Sequence, residues 1–171
     1  FLKAQGHNVG KSLCEDELLG TAKEILDLAK SKNVKFMLPV DNIIADKFDN
    51  NANIKTVGND IPEGWMALDV GPNTVVEYSS EILKAKTIVW NGPMGCFEMS
   101  NFAKATMAVC KAVAQASEKG AISVIGGGDS VSAVNQSGLA EKMTHISTGG
   151  GASLEFLEGK KLPGVEALAD K

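Results

Sequence analysis

Ala121-Ile122-Ser123-Val124-Ile125 runs directly into Gly126-Gly127-Gly128-Asp129-Ser130. A short apolar run stopped by glycines reads as a buried strand, and the residues that follow read as a short helix to about Ser137. Glycine lets the backbone approach an anion, and a helix start offers unpaired N–H groups and the positive end of a dipole. The pattern recurs. His145-Ile146-Ser147-Thr148 precedes Gly149-Gly150-Gly151-Ala152-Ser153, with a helix from about Ala152 to Leu157. Two such turns in one domain point to a polyphosphate. The carboxylate of Asp129 points to a divalent metal, Mg²⁺, riding on those phosphates. The blander readings are a helix cap for Asp129 and a packing turn for Gly149–Gly151.

Outward from these turns, strand-like and helical stretches alternate. Glu17 to Lys32 carries Leu18, Ala22, Ile25 and Ala29 on one helical face. Val34 to Asp41 reads as a strand, as do Ile54–Val57, Met66–Val70 and Thr87–Trp90. Thr74 to Ala85 is helical. Asn101 to Lys119 is the clearest helix, with a stripe of Phe102, Thr106, Val109, Val113 and Ala116, in which Thr106 is the weak member. This alternation predicts an α/β fold: a Rossmann-like three-layer domain with a mainly parallel sheet and helices on both faces. No internal domain boundary is visible. In such a fold Asp41, Gly71-Pro72, Asn91-Gly92-Pro93 and both glycine triplets fall at the carboxyl ends of strands, where ligands bind.

The 171 residues suffice for one domain with a real core. A formal net charge of -4 supplies no excess of cations for broad nucleic-acid binding. No apolar run is long enough for a membrane span. Cys14, Cys96 and Cys110 are odd in number and lack a C-x-x-C, which fits a reducing cytoplasm and three small apolar fillers. The chain opens Phe1-Leu2-Lys3-Ala4, without an initiator Met, and reads as a fragment or processed product.

Gly6-His7-Asn8-Val9-Gly10-Lys11-Ser12 looks like a phosphate loop but has three residues between its glycines where four are needed. It reads as an ordinary loop, with Ser12 in a helix N-cap region. His145 reads as structural, and Trp65 and Trp90 as packing residues. Glu98, after a Gly-Pro-Met-Gly turn, offers a carboxylate to a ribose. A dehydrogenase is disfavoured because no G-x-G-x-x-G follows the first strand.

Taken together, these segments resemble phosphoglycerate kinase. The resemblance is carried by Leu38-Pro39-Val40-Asp41, Ala45-Asp46-Lys47-Phe48, Ile61-Pro62-Glu63-Gly64-Trp65-Met66 and Asp69-Val70-Gly71-Pro72. It continues through Val89-Trp90-Asn91-Gly92-Pro93-Met94-Gly95, Phe97-Glu98, both glycine triplets and Leu162-Pro163-Gly164-Val165. It implies that residues 1–171 are the C-terminal, nucleotide-binding domain of a monomeric, cytoplasmic kinase. That kinase exchanges a phosphoryl group between 1,3-bisphosphoglycerate with ADP and 3-phosphoglycerate with ATP, using Mg²⁺. By position, Leu68, Asn91, Gly92 and Pro93 would line the adenine and ribose region, and Glu98 would bind the ribose. Gly126, Gly127, Gly128 and Ser130 would face the phosphates, and Asp129 would hold the metal. Gly149, Gly150 and Gly151 would stabilise the phosphoryl group in transit.

Ala67 and Cys96 stand where many members carry Gly and Val, small apolar exchanges expected to leave binding intact. The resemblance also implies that the N-terminal domain, with its basic patch for 3-phosphoglycerate, and the start of this domain, with a phosphate-binding lysine, are missing. The chain contains no arginine. The fragment is therefore expected to be inactive alone. The alternatives are a non-catalytic ADP/ATP-binding module or a fragment that self-associates through an exposed sheet edge or apolar surface.

Overall fold

The computed structural model describes residues 1–147 and 149–168. Thr148, expected at the end of a strand, and residues 169–171 lie outside the described residues. The chain forms two compact units, residues 1–80 with 94–108, and residues 81–93 with 109–171.

The first unit contains α1 (Leu19–Ser31), β1 (Asn42–Ala45), β2 (Ile54–Val57), β3 (Met66–Val70) and most of α2 (Pro72–Ile82). Its sheet has the order β2-β1-β3, and both pairings are antiparallel. The expectation of parallel strands fails here for a topological reason. Residues 46–53 and 58–65 connect the three strands without a helix, whereas parallel neighbours need a crossover of a dozen or more residues. The stretch from Val34 to Asp41, expected as a strand, forms none among the described residues; the strand instead begins at Asn42. Leu68, Ala45 and Phe102 form a buried cluster against which Ile43, Met66, Cys96 and Met99 pack. No residue of α1 is buried, although its sequence has an apolar face.

The second unit holds β4 (Thr87–Asn91), β5 (Ile122–Gly126), α4 (Gly128–Ser137), β6 (His145–Ile146), α5 (Gly150–Leu157) and α6 (Pro163–Glu166). Its sheet is parallel with the order β4-β5-β6, the expected α/β arrangement. α3 (Lys104–Glu118) starts in the first unit and ends in the second. All five residues of its expected stripe are buried, Thr106 included. The threonine is there for its hydroxyl, which accepts N–H bonds from Met94 (3.1 Å) and Gly95 (3.4 Å). Of the cysteines, Cys110 is buried, Cys96 half-buried and Cys14 exposed, so Cys14 is not a core filler.

Asp69 of β3 is only 4% exposed. Its carboxylate accepts the N–H of Val70 (2.9 Å) and of Ala105 in the first turn of α3 (3.1 Å). Burial raises its pKa from 3.8 to about 6, outweighing the lowering effect of those N–H groups and of Lys104. A carboxyl whose folded pKa is raised favours the folded state progressively as pH falls from the folded toward the unfolded value. We expect the stability difference between the wild type and Asp69→Asn to change by up to about 3 kcal/mol between about pH 6 and pH 4, in favour of the wild type, and to be flat above about pH 7. Urea midpoints measured across that range check this; parallel curves would refute it.

Candidate functional site

β5 and β6 are adjacent parallel strands, and each leads from its carboxyl end into a helix through glycines. Ser147 extends the pairing, its N–H donating to the Ile125 carbonyl at 2.8 Å. The two turns therefore leave the same edge of one sheet, where an open α/β sheet places its ligand.

Gly127 is the N-cap of α4, with φ +86°, a value that L side chains rarely adopt. A Cβ at Gly127 would also overlap the Asn91 side-chain oxygen. Gly150, the first residue of α5, sits against this turn, and a Cβ on it would lie 2.6 Å from the Gly127 Cα. The glycines thus let two helix starts meet backbone to backbone. The Gly127 and Gly149 carbonyls accept from Val131 and Ser153, which marks where each helix begins. That geometry leaves the N–H groups of Gly128, Asp129 and Ser130, and of Gly150, Gly151 and Ala152, without intrahelical acceptors. Gly149 differs from the other two glycines of its triplet. Its N–H donates to the Ser147 hydroxyl (3.2 Å), which lies 3.1 Å from the Ser153 hydroxyl.

The Asn91-Gly92-Pro93 turn belongs to this unit. Gly92 N–H donates to the fully buried Ser130 hydroxyl at 2.6 Å, and Trp90 Nε1 donates to the Gly92 carbonyl at 2.7 Å. Ser130 therefore ties the end of β4 to the start of α4, and Trp90 is the packing residue it was expected to be. Asp129 is exposed in the first turn of α4. Among the described residues no three His, Cys, Asp or Glu side chains gather to hold a metal. A single exposed carboxylate beside free amides fits a cation that takes its other oxygens from phosphate and water.

Leu68 and Glu98 lie in the first unit. Leu68 is 7% exposed, its side chain in the core cluster, and its carbonyl accepts from Cys96 N–H at 2.8 Å. Glu98 is exposed on the turn beyond Cys96. Ser12 caps no helix; its Oγ accepts the Ala67 N–H at 2.9 Å. His145 is exposed on β6. Sequence reasoning missed the contacts of Ser12 and of Thr106. Their only sequence signal is a polar residue beside a glycine turn or within an apolar stripe.

A family model described as phosphoglycerate kinase matches residues 1–160. The chain is 62% identical over its whole length to phosphoglycerate kinase of Koribacter versatilis, covering 42% of that protein. It is 58% identical over 99% of its length to that of Chloroherpeton thalassium, covering 43% of the relative. The structure of phosphoglycerate kinase from Coxiella burnetii superposes with a TM-score of 0.91 at 44% identity, over 96% of this chain and 42% of that one. The chain thus spans less than half the length of the relatives it matches. With almost every residue inside the matched region and a mixed α/β fold shared with a solved member, the chain belongs to the phosphoglycerate kinase family.

Proposed function

We propose that residues 1–171 are the nucleotide-binding part of a cytoplasmic phosphoglycerate kinase, and that the paired glycine turns grip the phosphates of ADP or ATP. One observation carries the reading: the starts of α4 and α5 meet at the ends of adjacent parallel strands, with the Gly150 position too close to Gly127 for any side chain. Two positive dipole ends then face one small volume, a cradle for a nucleotide's phosphate chain. In this role Asn91, Gly92 and Pro93 shape the neighbouring turn, Ser130 holds that turn in place, and Gly126 to Gly128 let the chain pass closely. Gly150 and Gly151 present N–H groups to the phosphoryl group, with Gly149 anchored behind them. Leu68 and Glu98 serve the base and the ribose. Asp129 would hold Mg²⁺ together with phosphate oxygens, and the bound ion would neutralise charge on the transferring group.

The complete kinase would transfer a phosphoryl group between 1,3-bisphosphoglycerate and ADP. This chain carries no arginine to neutralise the acceptor side, so it binds nucleotide without turnover when alone. Calorimetric titration of the 171-residue chain with ADP should give saturable heat that strengthens with Mg²⁺. Asp129→Asn should bind ADP with no strengthening by Mg²⁺. No heat from a chain shown to be folded would reject the proposal.

A further inference from the structure

Gly6–Ser12 resembles a phosphate loop, yet it is spent on a different task. Gly10, with φ +53°, lies against the 61–65 turn, where a Cβ would come within 2.6 Å of the Pro62 carbonyl oxygen. Lys11 N–H donates to the Trp65 carbonyl at 2.7 Å, and Ile61 N–H donates to the Asn8 carbonyl at 2.8 Å. Val9 bridges Ile61 in parallel. The stretch is a strap along the segment that leads into β3, and it ends at Ser12, whose Oγ accepts the Ala67 N–H.

β3 is irregular at that spot. Ile43 pairs with Asp69 and Ile44 pairs with Ala67, so Leu68 has no partner on β1. This is a β-bulge, a feature that releases backbone groups from the ladder, re-aims a side chain and is over-represented beside functional sites. The released Leu68 carbonyl is taken by Cys96 N–H. The bulge therefore hangs between two struts, the Ser12 hydroxyl before it and the Cys96 amide after it.

We infer that Ser12 is a positioning residue for recognition of the nucleoside base, its hydroxyl fixing the Ala67–Leu68 bulge while Gly10 lets the strap lie close enough to reach it. The inference rests on the nucleotide reading above, in which Leu68 serves the base. Ser12 acts through Ala67 and touches no ligand. Ser12, Ala67 and Leu68 belong to the first unit and none of them is part of a glycine turn, so a slackened bulge should weaken the hold on the base and leave diphosphate affinity as it was.

The test titrates the wild type, Ser12→Ala, Ser12→Cys and Ser12→Thr with ADP and with inorganic diphosphate, each with Mg²⁺, by calorimetry, with circular dichroism to confirm folding. Losing one accepted hydrogen bond should weaken ADP roughly fivefold in Ser12→Ala. The Cys variant, a near-isostere with a poor acceptor, should weaken it in the same direction. Ser12→Thr should restore ADP affinity, and diphosphate affinity should be the same in all four proteins. ADP affinity equal to wild type in both the Ala and Cys variants overturns the inference while leaving the nucleotide reading intact. A parallel loss of ADP and diphosphate also overturns it, because it marks general loosening. A wild type that binds neither probe sinks the nucleotide reading, and this inference with it.

Discussion

Gly150→Ala should abolish most of the phosphate grip, weakening inorganic diphosphate roughly tenfold or more, whereas Gly151→Ala should leave the protein at least as stable as the wild type. The two substitutions add the same methyl group to adjacent residues of one helix. At Gly150 that carbon would lie 2.6 Å from Gly127 Cα and 3.4 Å from the Gly126 carbonyl carbon. Both are backbone atoms, so no rotamer change relieves the overlap, and the start of α5 must move away from the start of α4. The N–H donors then no longer converge, and preorganised donors lose their advantage when displaced by about an ångström. At Gly151 no atom of the described residues lies within 4 Å of the added carbon. Alanine there gains up to about 1 kcal/mol of helix propensity over glycine. Thermal melting separates the pair, with Gly150→Ala lower than the wild type and Gly151→Ala equal or higher. Calorimetry with diphosphate then reads the cradle itself. Equal melting temperatures and equal diphosphate affinity for Gly150→Ala and the wild type would mean that the two turns do not form one cradle.

The contrast shows what a sequence can and cannot carry. Ile122–Gly126 and Gly128–Ser137 were legible because local rules suffice: an apolar run, then glycine, then a helical stretch. The stripe of α3 was legible for the same reason, since five residues at helical spacing name a buried face. Nothing local said that Gly150 would press on Gly127 while Gly151 stood free, because that depends on which strands neighbour each other. Val34–Val40 has the composition of a strand, but a strand exists only where a second chain segment accepts its hydrogen bonds. Asn42–Ala45, beside it, has such partners on both sides. The antiparallel order of β2-β1-β3 was implicit in the polar, helix-free connections, and was outweighed by the βα alternation elsewhere. Ser12, read as a cap, turned out to serve a strand 55 residues away. Separations of that size leave no periodic trace.

Asp41→Ala should cost about 3 kcal/mol of folding stability. Asp41 sits at the foot of β1 and is 5% exposed. α2 opens on Gly71-Pro72, and the Gly71 carbonyl accepts the first helical bond from Val75, so the N-cap position has no side chain of its own. Asp41 supplies the cap from a distance. Its carboxylate accepts N–H bonds from Asn73 (3.0 Å) and Thr74 (2.8 Å) and the Thr74 hydroxyl bond (2.6 Å). Gly71 is required because a Cβ there would strike that carboxylate. The Thr74 hydroxyl in turn accepts the N–H groups of Val40 and Asp41, closing a clamp between β1 and α2. Alanine at 41 strands two helix-start amides, each unmet group costing about 1–3 kcal/mol, part of which water recovers, and leaves the Thr74 hydroxyl only the Asp41 backbone carbonyl (3.1 Å) to donate to. Burial pushes the Asp41 pKa up, but the Thr74 hydroxyl and the Thr74 and Asn73 amides outweigh it and hold it below the usual 3.8. Its stabilisation is therefore present at neutral pH and lost only as pH falls through that lowered value, a window below the one in which Asp69 acts. Urea unfolding near neutral pH should show the full loss for Asp41→Ala. Adding Thr74→Val should cost less than the sum of the two single changes, because the partners share one network. A loss under about 1 kcal/mol, or strictly additive costs, would mean that the start of α2 is held by something other than this clamp.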